Sequence, residues 1–353
     1  MSKRKTIEEY DALRLIVTIL VVLSHSGYYV IRSNYGGCDY SEFAADMGAV
    51  YKSFMIIANM LYCFHMPLFM ALSGALYRVA LDKRGRGTWK NVISAKFLRL
   101  IIPFLCVSLM YSIPIKYISQ YFSASHNIIS DIIVGQLLVQ GNTHLWYLSA
   151  LFLIFIIFYW IIPILSKHPV MVVTVLYGMN FLGNHISIKI VSYVMIYLLW
   201  FCMGYLFEEK RKLLNDNLSW KTGLICGGGF ITLYALDRYT IAGNYWASHF
   251  LLSTLLTLSG SICIYCLSLW ISGTKFKENA AYQIVLGASF GIYLYSDSLN
   301  YPILKIATTL LGNELFNNNM YAVLFLLIRF LLTLMISLWI TLFLKRLHFK
   351  YVV

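Results

Sequence analysis

A cation and an imidazole stand in a run that is otherwise mostly Leu, Ile and Val: Arg14 and His25 in DALRLIVTILVVLSH, residues 11–25. On a helix, eleven residues of about 100° each end about 20° past three full turns, after about 16 Å of rise. The two side chains therefore share one stripe. An imidazole titrates near neutral pH and can take a proton from a hydroxyl. A guanidinium grips phosphate or carboxylate with a planar fork. A polar stripe in a helix this apolar faces a bundle interior or a wet cavity rather than lipid. Taken singly, each residue has a plainer account: Arg14 reaching the headgroups, His25 bonding a neighbouring helix. The shared face, with Ser24, Ser26 and Gly27 around the histidine, points instead to a functional cavity.

Four further stretches carry candidate chemistry. CFHMPLFMALSGAL, residues 63–76, holds His65, a helix-opening Pro67, and Ser73-Gly74, which permits close helix contact. THLWYLSALF, residues 143–152, puts His144, Trp146 and Tyr147 at the outer end of an apolar run. An interfacial aromatic belt explains Trp146 and Tyr147 as well as function does. SAKFLRLIIPF, residues 94–104, carries Lys96 and Arg99 three apart on one face, either as ordinary loop-flanking charge or, with Arg14, as a grip for a cytosolic polyanion. LGASFGIYLYSDSLNYPI, residues 286–303, contains Asp297, for which Arg329 in the last apolar run is the expected ion-pair partner. A paired structural acid and a substrate ligand fit Asp297 equally.

The elements that must position these residues are membrane helices. Of 353 residues, 59% are hydrophobic and only 12% charged, with mean hydropathy +0.70, which leaves too little polar surface for a water-soluble domain. Ten apolar runs stand out, at 12–31, 53–77, 97–115, 145–165, 169–183, 187–207, 219–236, 247–272, 282–302 and 319–344. Runs of this length in lipid must be helices, because every backbone polar group has to pair within the chain. The expectation is an all-α polytopic membrane protein of about ten transmembrane helices. It forms a single integral-membrane domain over 1–353 with no appended soluble domain.

The net charge of +13 suggests nucleic acid only until its distribution is read. With the N-terminus inside and ten alternating spans, 20 of the 28 Lys and Arg fall in cytoplasmic segments and six outside. That asymmetry predicts cytoplasmic N- and C-termini and no nucleic-acid partner. MSKRK ahead of the first run imitates a signal peptide, but the run is long and lacks a small-residue cleavage site, so it is read as a retained first helix. Seven cysteines lie mostly in apolar runs. Cys263 and Cys266 have CxxC spacing without further ligands nearby, so buried thiols, and no metal, are expected. No internal repeat is visible.

These pieces together resemble the membrane-bound acyltransferase-3 family, bacterial enzymes that O-acylate cell-envelope glycans. Arg14 and His25 match its R-x10-H signature. His65-Met-Pro-Leu-Phe with Leu72-Ser73-Gly74 looks like its second-helix motif. Lys96-Phe-Leu-Arg99 is similar to its R-x-x-R element, with lysine in the first place. His144-Leu-Trp146-Tyr147-Leu looks like its H-x-W-[FY]-L motif, and Ser289-Phe-Gly-Ile-Tyr-Leu like its S-F-G-I-Y-L-x-H segment, with Ser296 where many members have histidine. The resemblance implies a bacterial plasma (inner) membrane enzyme. It implies acyl-CoA, usually acetyl-CoA, as the co-substrate and a glycan or glycolipid hydroxyl as acceptor. It implies His25 as the catalytic base or transient acyl carrier. Arg14, Lys96 and Arg99 would hold the CoA phosphates. His65, Ser73, His144, Trp146, Tyr147 and Asp297 would support the site or the acceptor. Two rivals remain open: a non-enzymatic carrier or flippase of a small envelope precursor, and a serine-handling membrane module.

Overall fold

The computed structural model describes residues 7–122 and 127–349. Lys3, Arg4, Lys5 and Lys350, four of the cations counted toward the inner side, lie outside them. The described chain is overwhelmingly helical, with one antiparallel ribbon of two short strands, β1 (Val30–Ile31) and β2 (Cys38–Asp39). The long helices are α1 (Glu8–His25), α2 (Ala49–Tyr62), α3 (His65–Arg84), α4 (Trp89–Ile118), α5 (Trp146–Lys167), α6 (Pro169–Gly183), α7 (Lys189–Glu209), α8 (Trp220–Tyr239), α9 (Trp246–Ser272), α10 (Ala280–Leu311) and α11 (Asn319–Arg346).

Nine of the ten apolar runs each coincide mainly with one of these helices, and the run 53–77 is divided between α2 and α3. Six segments are long and apolar enough to cross a membrane: α2 and α3 taken together, α4, α5, α7, α9 and α11. The remaining four fall short for visible reasons. Helix α1 carries Glu8, Glu9, Asp11 and Arg14 in its 18 residues, and α6 has only 15 residues. Helices α8 and α10 are diluted by glycines and by polar side chains.

Two runs are corrected at their ends or middles. The run 12–31 overshoots: α1 stops at His25, so the histidine closes the helix instead of lying within it. The hydroxyls of Ser24 and Ser26 are buried and turn back onto the Val21 and Val22 carbonyls, at 2.9 and 2.8 Å. The run 53–77 is broken at Cys63 and Phe64. Pro67 has no N–H to offer the Cys63 carbonyl four residues back. Thr257 of α9 supplies the donor instead, with Oγ1 at 2.8 Å. His65 Nδ1 lies 2.6 Å from the Leu61 carbonyl and so closes the end of α2. Proline acts similarly in α4, where π turns at Phe97–Ile101 and Ser108–Ser112 precede Pro103 and Pro114. Each turn contains the residue whose carbonyl a proline ring would otherwise strike.

The Ser73-Gly74 contact reading holds. A Cβ on Gly74 would lie 1.9 Å from the Phe201 carbonyl, and one on Gly204 would lie 1.8 Å from the Ala71 carbonyl, so α3 and α7 meet backbone to backbone. Helix α10 lies inside, packed on α1 and α11, and its polar residues Ser289, Ser296, Asp297, Ser298 and Asn300 are all buried. On the far side of α4, Lys116 is fully buried. Its Nζ donates to Gln136 Oε1 and the Asn142 carbonyl, both at 2.8 Å. That contact ties the segment leading to His144 onto the end of α4.

The Thr257 hydroxyl is thus a structural donor at the break. Thr257→Val is expected to lower stability by about 1 kcal/mol, the usual worth of one such hydrogen bond. A thermal midpoint in detergent equal to the parent's would show that the Cys63 carbonyl is satisfied some other way.

Candidate active site

The end of α1 meets the middle of α10. His25 Nδ1 lies 2.7 Å from Asp297 Oδ1, a contact spanning 272 positions of sequence. His144, in the turn before α5, brings its Nδ1 to 3.2 Å from Asp297 Oδ2. Asp297 therefore stands between two imidazoles, with 7% of its side chain exposed, against 18% for His25 and 3% for His144. His25 is the member of the three that a reactant reaches most easily.

Hydrogen positions follow from the partners. A carboxylate oxygen accepts, so His25 donates from Nδ1 and its Nε2 carries the lone pair. His144 Nε2 lies 3.0 Å from the Leu294 carbonyl, which can only accept, so Nε2 carries a hydrogen there. Its Nδ1 lies within ion-pair distance of Oδ2 but outside hydrogen-bond geometry. The three groups thus fix one ring in the tautomer that leaves a free basic nitrogen.

Aromatic rings wall the site. Tyr62 stacks on His25 with centroids 5.9 Å apart and packs against His65 at 5.1 Å. His65 is fully buried, and among the described residues its Nε2 has no hydrogen-bond partner. Tyr293 donates to the His144 carbonyl at 2.7 Å and packs against Tyr147 at 5.7 Å. Tyr147 and Ser73 share a hydroxyl hydrogen bond of 2.7 Å. Arg14, Phe69, Tyr147, Ser289 and Tyr293 border a small cavity of about 60 Å³, with room for a few waters. From Arg14 this cavity leads to Tyr293, and Tyr293 leads to His144 and Asp297.

Among the described residues the Arg14 guanidinium pairs with Asp11, at 3.2 Å, and its buried Nε has no hydrogen-bond partner. Lys96 and Arg99 are not joined to Arg14 by any hydrogen bond among the described residues. Lys96 Nζ sits 3.6 Å from the centre of the Phe155 ring and 5.4 Å from that of Tyr77. Arg99 is exposed on the π turn Phe97–Ile101. Trp146 turns away, stacking on Tyr193 and Tyr197 of α7 at 4.3 and 4.9 Å. The structure thus joins His25, Asp297 and His144 directly. Tyr147 and Ser73 lie behind Tyr293, and Trp146 belongs to a packing cluster.

The expected ion pair between Asp297 and Arg329 does not form. Arg329 spends its donors on Asn300 and on the carbonyls of Ser26 and Tyr28. The histidines take the carboxylate because their rings reach it from the end of α1 and from the turn before α5. Tyr62 and Tyr293 were not singled out from the sequence. Tyr293 had a signal, since it precedes Asp297 by four residues and so shares its helix face. Tyr62 had none beyond its place three residues before His65.

The model of one protein family, described as an acyltransferase domain, matches residues 7–342. No curated protein and no solved structure matches the chain.

The 2.7 Å contact has a spectroscopic consequence. In protein labelled with ¹⁵N at histidine, the His25 Nδ1 proton is expected as a low-field resonance that Asp297→Ala abolishes. Its survival in that variant would mean that the proton has another acceptor.

Proposed function

The chain belongs to the acyltransferase family that matches it over residues 7–342, and from that premise we propose an integral-membrane O-acyltransferase. It moves an acyl group, in the first instance acetyl, from cytosolic acyl-CoA to a hydroxyl of a lipid-linked or cell-surface saccharide. The observation that carries this reading is the contact between His25 and Asp297, which leaves His25 Nε2 unprotonated and partly accessible. The proposed setting is a bacterial inner membrane crossed about ten times, with both termini inside. Its support is the excess of Lys and Arg on one side of the apolar runs.

Each group then has a task. His25 Nε2 takes the proton of the acceptor hydroxyl as its oxygen attacks the thioester carbonyl. The tetrahedral intermediate collapses, the C–S bond breaks, and the CoA thiolate leaves and recovers a proton from the imidazolium. Asp297 holds the tautomer throughout and offsets the charge that His25 gains, as an orienting carboxylate does in other base-assisted acyl transfers. His144 shares the second oxygen of Asp297 and fixes the carboxylate. Arg14, Lys96 and Arg99 bind the CoA phosphates, and the unpartnered Arg14 Nε is a donor ready for that use. The pantetheine arm follows the cavity beside Tyr147 and Tyr293, which must widen to admit it. Ser73 orients the Tyr147 hydroxyl, His65 stands behind Tyr62 with a free acceptor nitrogen, and Trp146 fixes the start of α5 against α7.

His25→Ala is expected to lower the rate of acyl-CoA turnover about 10²- to 10⁴-fold, the usual share of a general base. Parent-level turnover in that variant would end the catalytic reading. Saccharide flux across vesicles with no release of CoA thiol would favour a carrier. Separately, Arg14→Gln and Arg99→Gln should each weaken CoA binding about 10-fold, the worth of one charge-assisted hydrogen bond. Equal CoA affinity in both variants and the parent would remove the phosphate-anchor role.

A further inference from the structure

Arg329 lies in α11 with none of its surface exposed. Among the described residues no carboxylate lies within ion-pair distance of it. Its guanidinium is nonetheless almost fully used. Nη1 donates to the Ser26 carbonyl at 2.9 Å and to the Tyr28 carbonyl at 2.8 Å. Nε donates to Asn300 Oδ1 at 2.8 Å, and Nη2 reaches the Asn300 carbonyl at 3.4 Å. The cation also lies over the Tyr28 ring, 4.7 Å from its centre.

The identity of these acceptors is what matters. Ser26 follows His25 directly, and Tyr28 is three residues beyond it. Asn300 is three residues, nearly one turn, past Asp297. One planar group therefore grips both partners of the 2.7 Å contact from just beyond them. The Gly27 carbonyl, between the Ser26 and Tyr28 acceptors, is taken by Tyr51 of α2, at 2.8 Å. Three successive carbonyls past His25 are thus held by buried side chains of other helices. Burying a charge without an opposite charge is costly, and a neutral side chain that only joined two helices would avoid the cost. A guanidinium offers what a neutral group lacks: five donors in one rigid plane, and a positive charge facing the negative end of α1.

We propose that Arg329 is the positioning residue of the His25–Asp297 pair, a clamp that sets the distance between the end of α1 and the middle of α10. The role rests on the reading of His25 as the base, yet its geometry can be measured without any turnover. In this account Arg329 touches neither substrate, so its loss acts on the chemical step and leaves donor binding alone.

The test uses the full-length protein in lipid nanodiscs, as Arg329→Ala, Arg329→Lys and Asn300→Ala. For Arg329→Ala, kcat for acyl-CoA turnover should fall about 100-fold, the cost of an ångström of misplacement in an active site. KM for acyl-CoA should stay within a factor of about three, since the donor site keeps its contacts. The low-field His25 proton should disappear. Guanidinium added to Arg329→Ala should restore the proton and at least about a tenth of the lost kcat, whereas methylammonium, with its smaller set of donors, should not. Arg329→Lys should behave like Arg329→Ala. Asn300→Ala, which keeps the cation and cuts one arm of the clamp, should lower kcat about 10-fold with KM unchanged, and it decides the matter if Arg329→Ala does not fold. Parent-level kcat and an intact low-field proton in folded Arg329→Ala, or in Asn300→Ala, would overturn the clamp. So would a loss of kcat that guanidinium leaves untouched. If the parent turns over no acyl-CoA, the functional reading fails, and the proton resonance still tests the clamp.

Discussion

A carboxylate inside an apolar helical bundle has to be compensated, and Asp297 determines much of what surrounds it. Buried charge in such a setting stays only if protons or cations meet it. Here the compensation comes from two imidazoles on separate parts of the chain: His25 at the end of α1 and His144 before α5. For His25 to arrive, α1 must stop at that residue, and the three carbonyls beyond it must be satisfied away from water. Arg329 and Tyr51 do this. For His144 to arrive, the turn before α5 must be held down, and the buried Lys116 holds the segment that leads to it. The buried polar residues of α10 belong to the same site.

The same compensation links fold to chemistry. A carboxylate shared by two rings leaves one of them, His25, with a free basic nitrogen beside the exposed Tyr62 ring. Helix breaks serve the site as well. The proline-opened junction between α2 and α3 lets Tyr62 and His65 turn toward His25, and the contact of Gly74 with α7 sets where Ser73 meets Tyr147. The family match is to an acyltransferase domain, and a basic nitrogen oriented by a carboxylate is what the proposed reaction requires.

Much of this was legible in the sequence because it is local. The apolar runs mark the helices, Pro67 marks a break, and eleven-residue spacing puts Arg14 and His25 on one stripe. What was not legible is pairing between distant helices. Nothing in the spacing of residues 11–25 reports that the partner of His25 is 272 positions away. Arg329 was read as the partner of Asp297 because charges of opposite sign in lipid usually pair. A guanidinium is satisfied just as well by a fan of helix-end carbonyls, and periodicity carries no trace of that. The end of α1 was misjudged for a related reason: residues 26–31 are apolar enough to extend a helix, and tertiary contacts end it instead. Lys96 and Arg99 were foreseen as cations on one helix face. The structure shows one stacked on Phe155 and the other exposed, neither in contact with Arg14.

The central claim is that His25 and Asp297 act as one unit on the acyl donor. A double-mutant cycle on acyl-CoA turnover tests it directly, with His25→Ala, Asp297→Asn and the two combined. Groups that work as a unit lose their effect together, so the double variant should be no slower than His25→Ala alone. Losses that multiply, with the double variant slower than His25→Ala by the full factor of Asp297→Asn, would contradict the account.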